Sequence, residues 1–180
     1  MLRSIVRYGV IGGLIVGIAL SGMTLGIGHD PGSPWSYLYG YLTMLLGLST
    51  IFIAIKQHRD TNLGGVIKFW PALGLGLGIS LIAGIFYVIA WEAVLYFGHL
   101  DFAGEYAKAM IDAAKTKGLT GDALAKAVAE AEQFKTMYAN PLYRIPETFI
   151  EIFPVGVLVS LVSAGLLRNS RFLAARRNPG

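Results

Sequence analysis

The chain has 180 residues, 54% of them hydrophobic and only 14% charged, with a formal net charge of +4. A soluble domain carries about 25% charged residues, and here the apolar residues gather into long blocks, which argues against a soluble globular domain. With no cysteine, disulfide frameworks, thiolate metal sites and cysteine nucleophiles are excluded.

The first apolar block runs from about Tyr8 to Ile27, after Arg3 and Arg7. Basic residues before an apolar core also describe a secretory signal peptide, and Ala19-Leu20-Ser21 offers a weak cleavage site. The apolar run continues past Ser21, however, and that length suits a retained spanning helix. Gly9, Gly13 and Gly17 repeat every four residues and form a smooth ridge on which another helix can pack closely. His29-Asp30-Pro31-Gly32-Ser33-Pro34 reads as a turn. Trp35, Tyr37, Tyr39 and Tyr41 then suggest an interfacial aromatic belt. The second block is expected from Trp35 to Ile55, ended by the charged run Lys56 to Asn62.

Gly64-Gly65 leads into the third block, Phe69 to Phe97, which has no charge before Glu92. Here Ala72, Gly76, Ser80 and Gly84 make a second ridge, and the block is the expected packing spine. From Asp101 to Tyr138 the composition turns to Ala, Lys, Asp and Glu, and two soluble-type helices are expected. Phe102, Tyr106, Met110 and Ala113 form the apolar stripe of the first; Leu124, Val128, Ala131 and Tyr138 form that of the second. Gly118 suits the left-handed position that closes the first, followed by Leu119. Thr120 suits the cap of the second, and Asp122 with Lys126 a pair at helical spacing. Asn140-Pro141 ends the hairpin. The fourth block runs from Pro146, at a first helical position, to Leu167. Pro154 should kink it, and Gly156 and Ser160 give a third ridge. A tail bearing Arg168, Arg171, Arg176 and Arg177 is expected to fray.

The fold class that follows is an all-α membrane protein with four transmembrane helices and an extracytoplasmic helical hairpin between the third and fourth. It is one domain over residues 1–180, with a polar helical insert at 100–140. With four spans, Arg3, Arg7, Lys56, Arg59, Lys68 and the tail arginines fall on one side, and the first turn has no Lys or Arg. Both termini are therefore expected in the cytoplasm, with the lipid bilayer, and anionic lipids at its cytoplasmic face, as partners. The segment from Asp101 to Arg144 has six basic and six acidic residues. It weakens the asymmetry, although longer loops are less bound by the rule.

This layout resembles the bacterial membrane proteins grouped as domain of unknown function 4199. The resemblance is carried by Arg59-Asp60, Gly64-Gly65, Phe69, the small-residue third helix and the Ala/Glu/Lys segment from Glu105 to Lys135, and it covers nearly the whole chain. It implies a multi-pass protein of the bacterial inner membrane. It implies no reaction, ligand or cofactor, and no site residues.

Motifs of known chemistry are incomplete. His58-Arg59-Asp60 has the letters of a kinase catalytic loop but lacks the downstream Asn and the Asp-Phe-Gly, so it reads as a charged turn at the lipid surface. Gly74-Leu75-Gly76-Leu77-Gly78 is followed by Ile79 where a dinucleotide fingerprint needs glycine. A candidate polar cluster remains at the outer mouth: Glu92 at the end of the third span, Glu147 and Glu151 at the start of the fourth, Arg144, and His99, with His29-Asp30 and Asp101 at the same level. Ionisable groups at this depth are costly and often functional. Carboxylates and imidazoles together suit a divalent cation or a proton relay; the alternative is a Glu92–Arg144 or Glu151–Arg144 ion pair. Two functional classes stay open. One is an accessory or scaffold protein that associates through its glycine ridges and hairpin, with itself or with a membrane-protein partner. The other is a small oligomeric transporter, ion pathway or sensor using the outer carboxylates. A basic tail beside a membrane reads as a lipid and topology signal and not as a nucleic-acid site.

Overall fold

The computed structural model describes residues 1–26 and 34–174. The turn at His29-Asp30, Arg176, Arg177 and the Asn-Pro-Gly end lie outside the described residues. All regular structure in the described residues is helical: α1 (Leu2–Gly26), α2 (Pro34–Asn62), α3 (Phe69–Gly98), α4 (Phe102–Thr116), α5 (Gly121–Tyr138) and α6 (Pro141–Leu167). Four of these, α1, α2, α3 and α6, are long and apolar enough to cross a membrane, and α4 and α5 form the hairpin between the last two.

The small-residue ridges set the register of the bundle. A methyl group added at Gly9 would sit 2.6 Å from Ile82 Cβ, one at Gly13 2.5 Å from Phe86 Cβ, and one at Gly17 2.9 Å from Ala90 Cβ. Residue numbers climb together on the two helices, so α1 and α3 run parallel. On its other side α3 meets α6 antiparallel. A Cβ on Gly76 would fall 2.7 Å from Ser160 Oγ, one on Gly84 2.6 Å from the Phe149 ring, and one on Gly156 2.7 Å from Ser80 Cβ. Ala72 is wholly buried on the same spine. All three ridges thus face neighbours within the same chain. Ser80 and Ser160 are buried opposite each other, 3.2 Å apart, and their hydroxyls also donate to Gly76 O and Gly156 O at 2.9 and 2.7 Å. Each hydroxyl has one proton, so at any moment at most one of the two donates across the pair while the other bonds its own helix's carbonyl, and both hydroxyls stay bonded where hydrocarbon offers no water.

Several boundaries differ from expectation. α2 does not stop at Ile55 but continues as helix to Asn62, because nothing in Lys56 to Thr61 breaks a helix. The chain then reverses through Gly64 and Gly65, at φ 64° and 92°, where a Cβ would be strained. α6 begins at Pro141, not Pro146. Asn140 caps it, its side chain accepting from the Leu142 N–H at 3.0 Å, so the Asn-Pro pair that ends the hairpin also starts the last helix. In α4 it is Ala107 and Ala114 that are buried, and Ala113 is exposed; seven residues return to the same helix face, six do not. Gly118 has φ 77°. Leu119 N–H donates to Ala114 O at 3.1 Å and Gly118 N–H to Lys115 O at 2.9 Å, the paired bonds of a Schellman stop. Thr120 sits at the cap position of α5 without a side-chain cap bond, and Lys126 pairs with Glu130 at 3.9 Å rather than with Asp122.

Candidate functional site

At the hairpin end of the bundle, two residues of the expected cluster meet as one unit. Arg144, in the first turns of α6, grips Glu92 of α3 with two parallel bonds: Nε donates to Oε1 at 2.7 Å and Nη2 to Oε2 at 2.5 Å. This fork geometry is specific to a guanidinium and a carboxylate. Arg144 Nη1 also donates to Tyr138 O at 3.3 Å, and its charge lies 5.8 Å from the Tyr138 ring centre, within cation–π range. Of the two alternatives for this cluster, the ion pair is the one formed between Glu92 and Arg144.

The hairpin is fastened beside that pair by aromatic residues. The Trp91 indole N–H donates to the Tyr138 hydroxyl at 2.7 Å. Phe102 meets Trp91 edge-on at 5.0 Å and Tyr138 at 5.3 Å, and Phe134 joins Tyr106 and Tyr138 at 5.0 and 5.2 Å. Burial pushes the Tyr138 hydroxyl up to about 12, with the Trp91 hydrogen bond pulling the other way. Asp101 has a local task, accepting from the Gly104 N–H at 2.9 Å to cap α4. A cleft of about 350 Å³ opens between the hairpin and the bundle, with Glu92, Tyr96, Asp101, Tyr138 and Arg144 on its walls.

The other cluster residues do not converge there. Glu151 lies seven residues further along α6 and accepts from the Tyr87 hydroxyl at 3.2 Å. Glu147 is exposed one turn nearer the hairpin. His99 is exposed and ends α3 in the left-handed region at φ 50°. No group of three or more His, Asp or Glu side chains able to hold a metal exists among the described residues. The divalent-cation form of the cluster therefore has no geometric support among them.

The order of elements, the basic–acidic end of α2, the paired glycines and the helical insert now stand together. The family described as Protein of unknown function (DUF4199) matches residues 7–169. The chain belongs to that family. The match reaches from α1 to just beyond α6, so it takes in the whole bundle and the hairpin. No curated protein and no solved structure matches the chain.

The residue of this DUF4199 chain that sequence reasoning missed is Arg59. It is not part of a solvated turn: its side chain is 0% exposed. Nε donates to Asp60 Oδ1 at 2.6 Å, Nη1 to Phe172 O at 2.9 Å and Leu167 O at 3.4 Å, and Nη2 to Leu173 O at 2.7 Å. Lys56 holds the other oxygen of Asp60 at 2.6 Å. The guanidinium thus ties the last carbonyl of α6, Leu167 O, and two carbonyls of the turn that follows it, Phe172 O and Leu173 O, to the end of α2, beside a helix C-terminus whose dipole also favours a cation. No spacing in the sequence announces this, since the acceptors are backbone groups more than a hundred residues away.

Proposed function

We propose that the protein is a multi-pass accessory protein of the bacterial inner membrane, both termini cytoplasmic, that presents the α4–α5 hairpin to a partner outside the membrane. The observation that carries this reading is the fastening of the hairpin: the aromatic cluster and the Arg144–Glu92 fork hold it in one pose on the ends of α3 and α6. A loop that served only to connect two spans would need neither. Its outward residues are mostly exposed and of mixed charge; Lys115 and Lys126 side chains are 58% and 79% exposed, a surface suited to a polar protein partner. The small-residue ridges are occupied within the chain, so association through them is not part of this reading. Sidedness rests on the basic residues at the end opposite the hairpin.

The test uses the full chain in native membranes, with a photo-crosslinking residue at Lys115 or Lys126. Expected are one discrete adduct and labelling of Lys115→Cys by a membrane-impermeant thiol reagent from the outer side. Labelling from the cytoplasmic side alone, or crosslinks to lipid alone, would overturn the proposal.

One observation favours the second reading, a small oligomeric ion pathway. Glu151 belongs to a span and lies at the surface of the single chain, roughly 10 Å along α6 from the Arg144 pair at 1.5 Å per residue. A carboxylate at that depth is costly against lipid, and a neighbouring copy would cover it. Glu151→Gln separates the two: it removes ion flux in vesicles on this reading and leaves hairpin crosslinking intact on the first.

A further inference from the structure

We infer that a cleft between α1 and α2, at the end of the bundle away from the hairpin, binds the phosphate group of an anionic membrane lipid. The cleft holds about 200 Å³ and is lined by Arg3, Arg7 and Tyr8 of α1 and by Gln57, His58 and Asn62 of α2. Arg3 and Arg7 are four residues apart, so both guanidiniums stand on one helix face. Neither has a carboxylate partner among the described residues, and no acid lines the cleft. The acid nearest in sequence, Asp60, is already held by Lys56 and Arg59.

The hydrogen bonds inside the cleft set its sign. The Tyr8 hydroxyl donates to Gln57 Oε1, which fixes the amide and leaves its NH2 as a donor. Asn62 Nδ2 donates to His58 Nδ1 at 2.8 Å, so the remaining ring nitrogen carries the N–H. The Thr61 hydroxyl has one proton and gives it to Gln57 O at 2.7 Å, lying only 3.3 Å from Asn62 Oδ1. The side-chain acceptors of Gln57 and His58 are thus used internally, and the N–H groups of both are left over. A cleft with two guanidiniums and surplus N–H donors recognises an anionic oxygen group.

Position selects the lipid as its source. The cleft lies where one membrane-length helix begins and the other ends, the level of the headgroups. Beside Arg3 and Arg7, Leu2 and Val6 are 74% and 46% exposed, an apolar surface that an acyl chain can cover and a free phosphate would not need. A zwitterionic headgroup would bring a cation for which the cleft has no carboxylate.

Native mass spectrometry of the full chain in mild detergent, titrated with phosphatidylglycerol, phosphatidylcholine and inorganic phosphate, tests this. Phosphatidylglycerol should be retained and phosphatidylcholine should bind much more weakly. The Arg3→Gln/Arg7→Gln variant should weaken phosphatidylglycerol binding about 30-fold, and Arg168→Gln/Arg171→Gln at the same end by less than about threefold. Gln57→Glu keeps both arginines but places a carboxylate in the cleft, and should cause a comparable loss; it carries the test if the arginine variant does not fold. Undiminished binding by these variants, or equal loss in the Arg168/Arg171 control, would overturn the site. Displacement of the lipid by equimolar inorganic phosphate would overturn the lipid as its ligand.

Discussion

Two arginines fasten the two ends of the bundle, and they do so in opposite ways. Arg59 is wholly buried and bonds mainly to backbone carbonyls, whereas Arg144 keeps 16% of its side chain exposed and bonds to a carboxylate that is itself 30% exposed. At the Arg59 end the partners cannot move without unravelling the residues after α6. At the Arg144 end the main partner is the Glu92 carboxylate near the rim, and water can replace it. The first arrangement is a fixed structural joint. The second is a clasp: it holds the hairpin in its pose, and its loss would leave the bundle intact.

The largest expected effect is at the fixed joint. Arg59→Met leaves Asp60 with one cation fewer and strips donors from the Leu167, Phe172 and Leu173 carbonyls. Breaking a buried charge pair this way costs about 3–5 kcal/mol, so the detergent-solubilised protein should melt far lower or fail to accumulate. Arg59→Lys should recover less than half the loss, since an ammonium lacks the guanidinium fork. Full recovery by lysine would show that charge alone matters and would erase the contrast with Arg144.

Between the two ends the packing must transmit no slack. Gly76→Leu drives a side chain into Ser160, whose Oγ would lie 2.7 Å from the new Cβ, and into Ile51 at 3.1 Å. Overpacking of this kind costs about 1–3 kcal/mol, read as a lowered melting temperature of the monomer. Gly165, where a Cβ meets nothing within 4 Å, should accept alanine with no loss. If Gly76→Leu instead left the melt unchanged and only dissolved an oligomer, the ridge would face outward.

At the clasp, Glu92→Gln and Arg144→Gln should each cost about 1.5–3 kcal/mol, the range for hydrogen bonds to charged groups. The two losses should not add in the double variant, because both remove the same fork. Hydrogen exchange should rise in α4 and α5 and stay unchanged in α1, α2 and α3. Equal loosening throughout would mean that the hairpin and bundle are one cooperative unit.

Most of the fold was legible because lipid imposes it. Long apolar blocks and four-residue spacings of small side chains have one cheap solution, and Gly76, Ser80, Gly156 and Ser160 meet as that spacing implies. Helix ends were less legible where one motif has two uses: Asn140-Pro141 both stops α5 and starts α6. The polar cluster was legible only by level. Topology brought Glu92 and Arg144 to one height, but spacing across the whole hairpin says nothing of azimuth, and Glu147 and His99 stay exposed outside the pair. Arg59 was illegible because its partners are carbonyls, which every residue has. Trp91 and Tyr138 left a faint signal, each an amphipathic ring, one at the end of an apolar run and the other at the end of the apolar stripe of α5.

The smallest expected effect tests whether the clasp opens before the joint. In the folded chain burial pushes the Tyr138 hydroxyl up to about 12, against about 10 for an exposed tyrosine. Folding therefore favours the neutral phenol. Its contribution is fully present below about 10 and is lost as pH rises from about 10 towards 12, because the unfolded form sheds its proton first. The Trp91 N–H would still find an acceptor in the phenolate, but the ring stack and the Glu92 carboxylate beside Arg144 would face a new buried negative charge. Alkaline titration should thus release α4 and α5 first, seen as tyrosinate absorbance rising together with hairpin hydrogen exchange. Tyr138→Phe should abolish that step and, by orphaning the Trp91 N–H, loosen the hairpin slightly at neutral pH. A titration in which the whole bundle unfolds in a single step would place Tyr138 in the joint and not in the clasp.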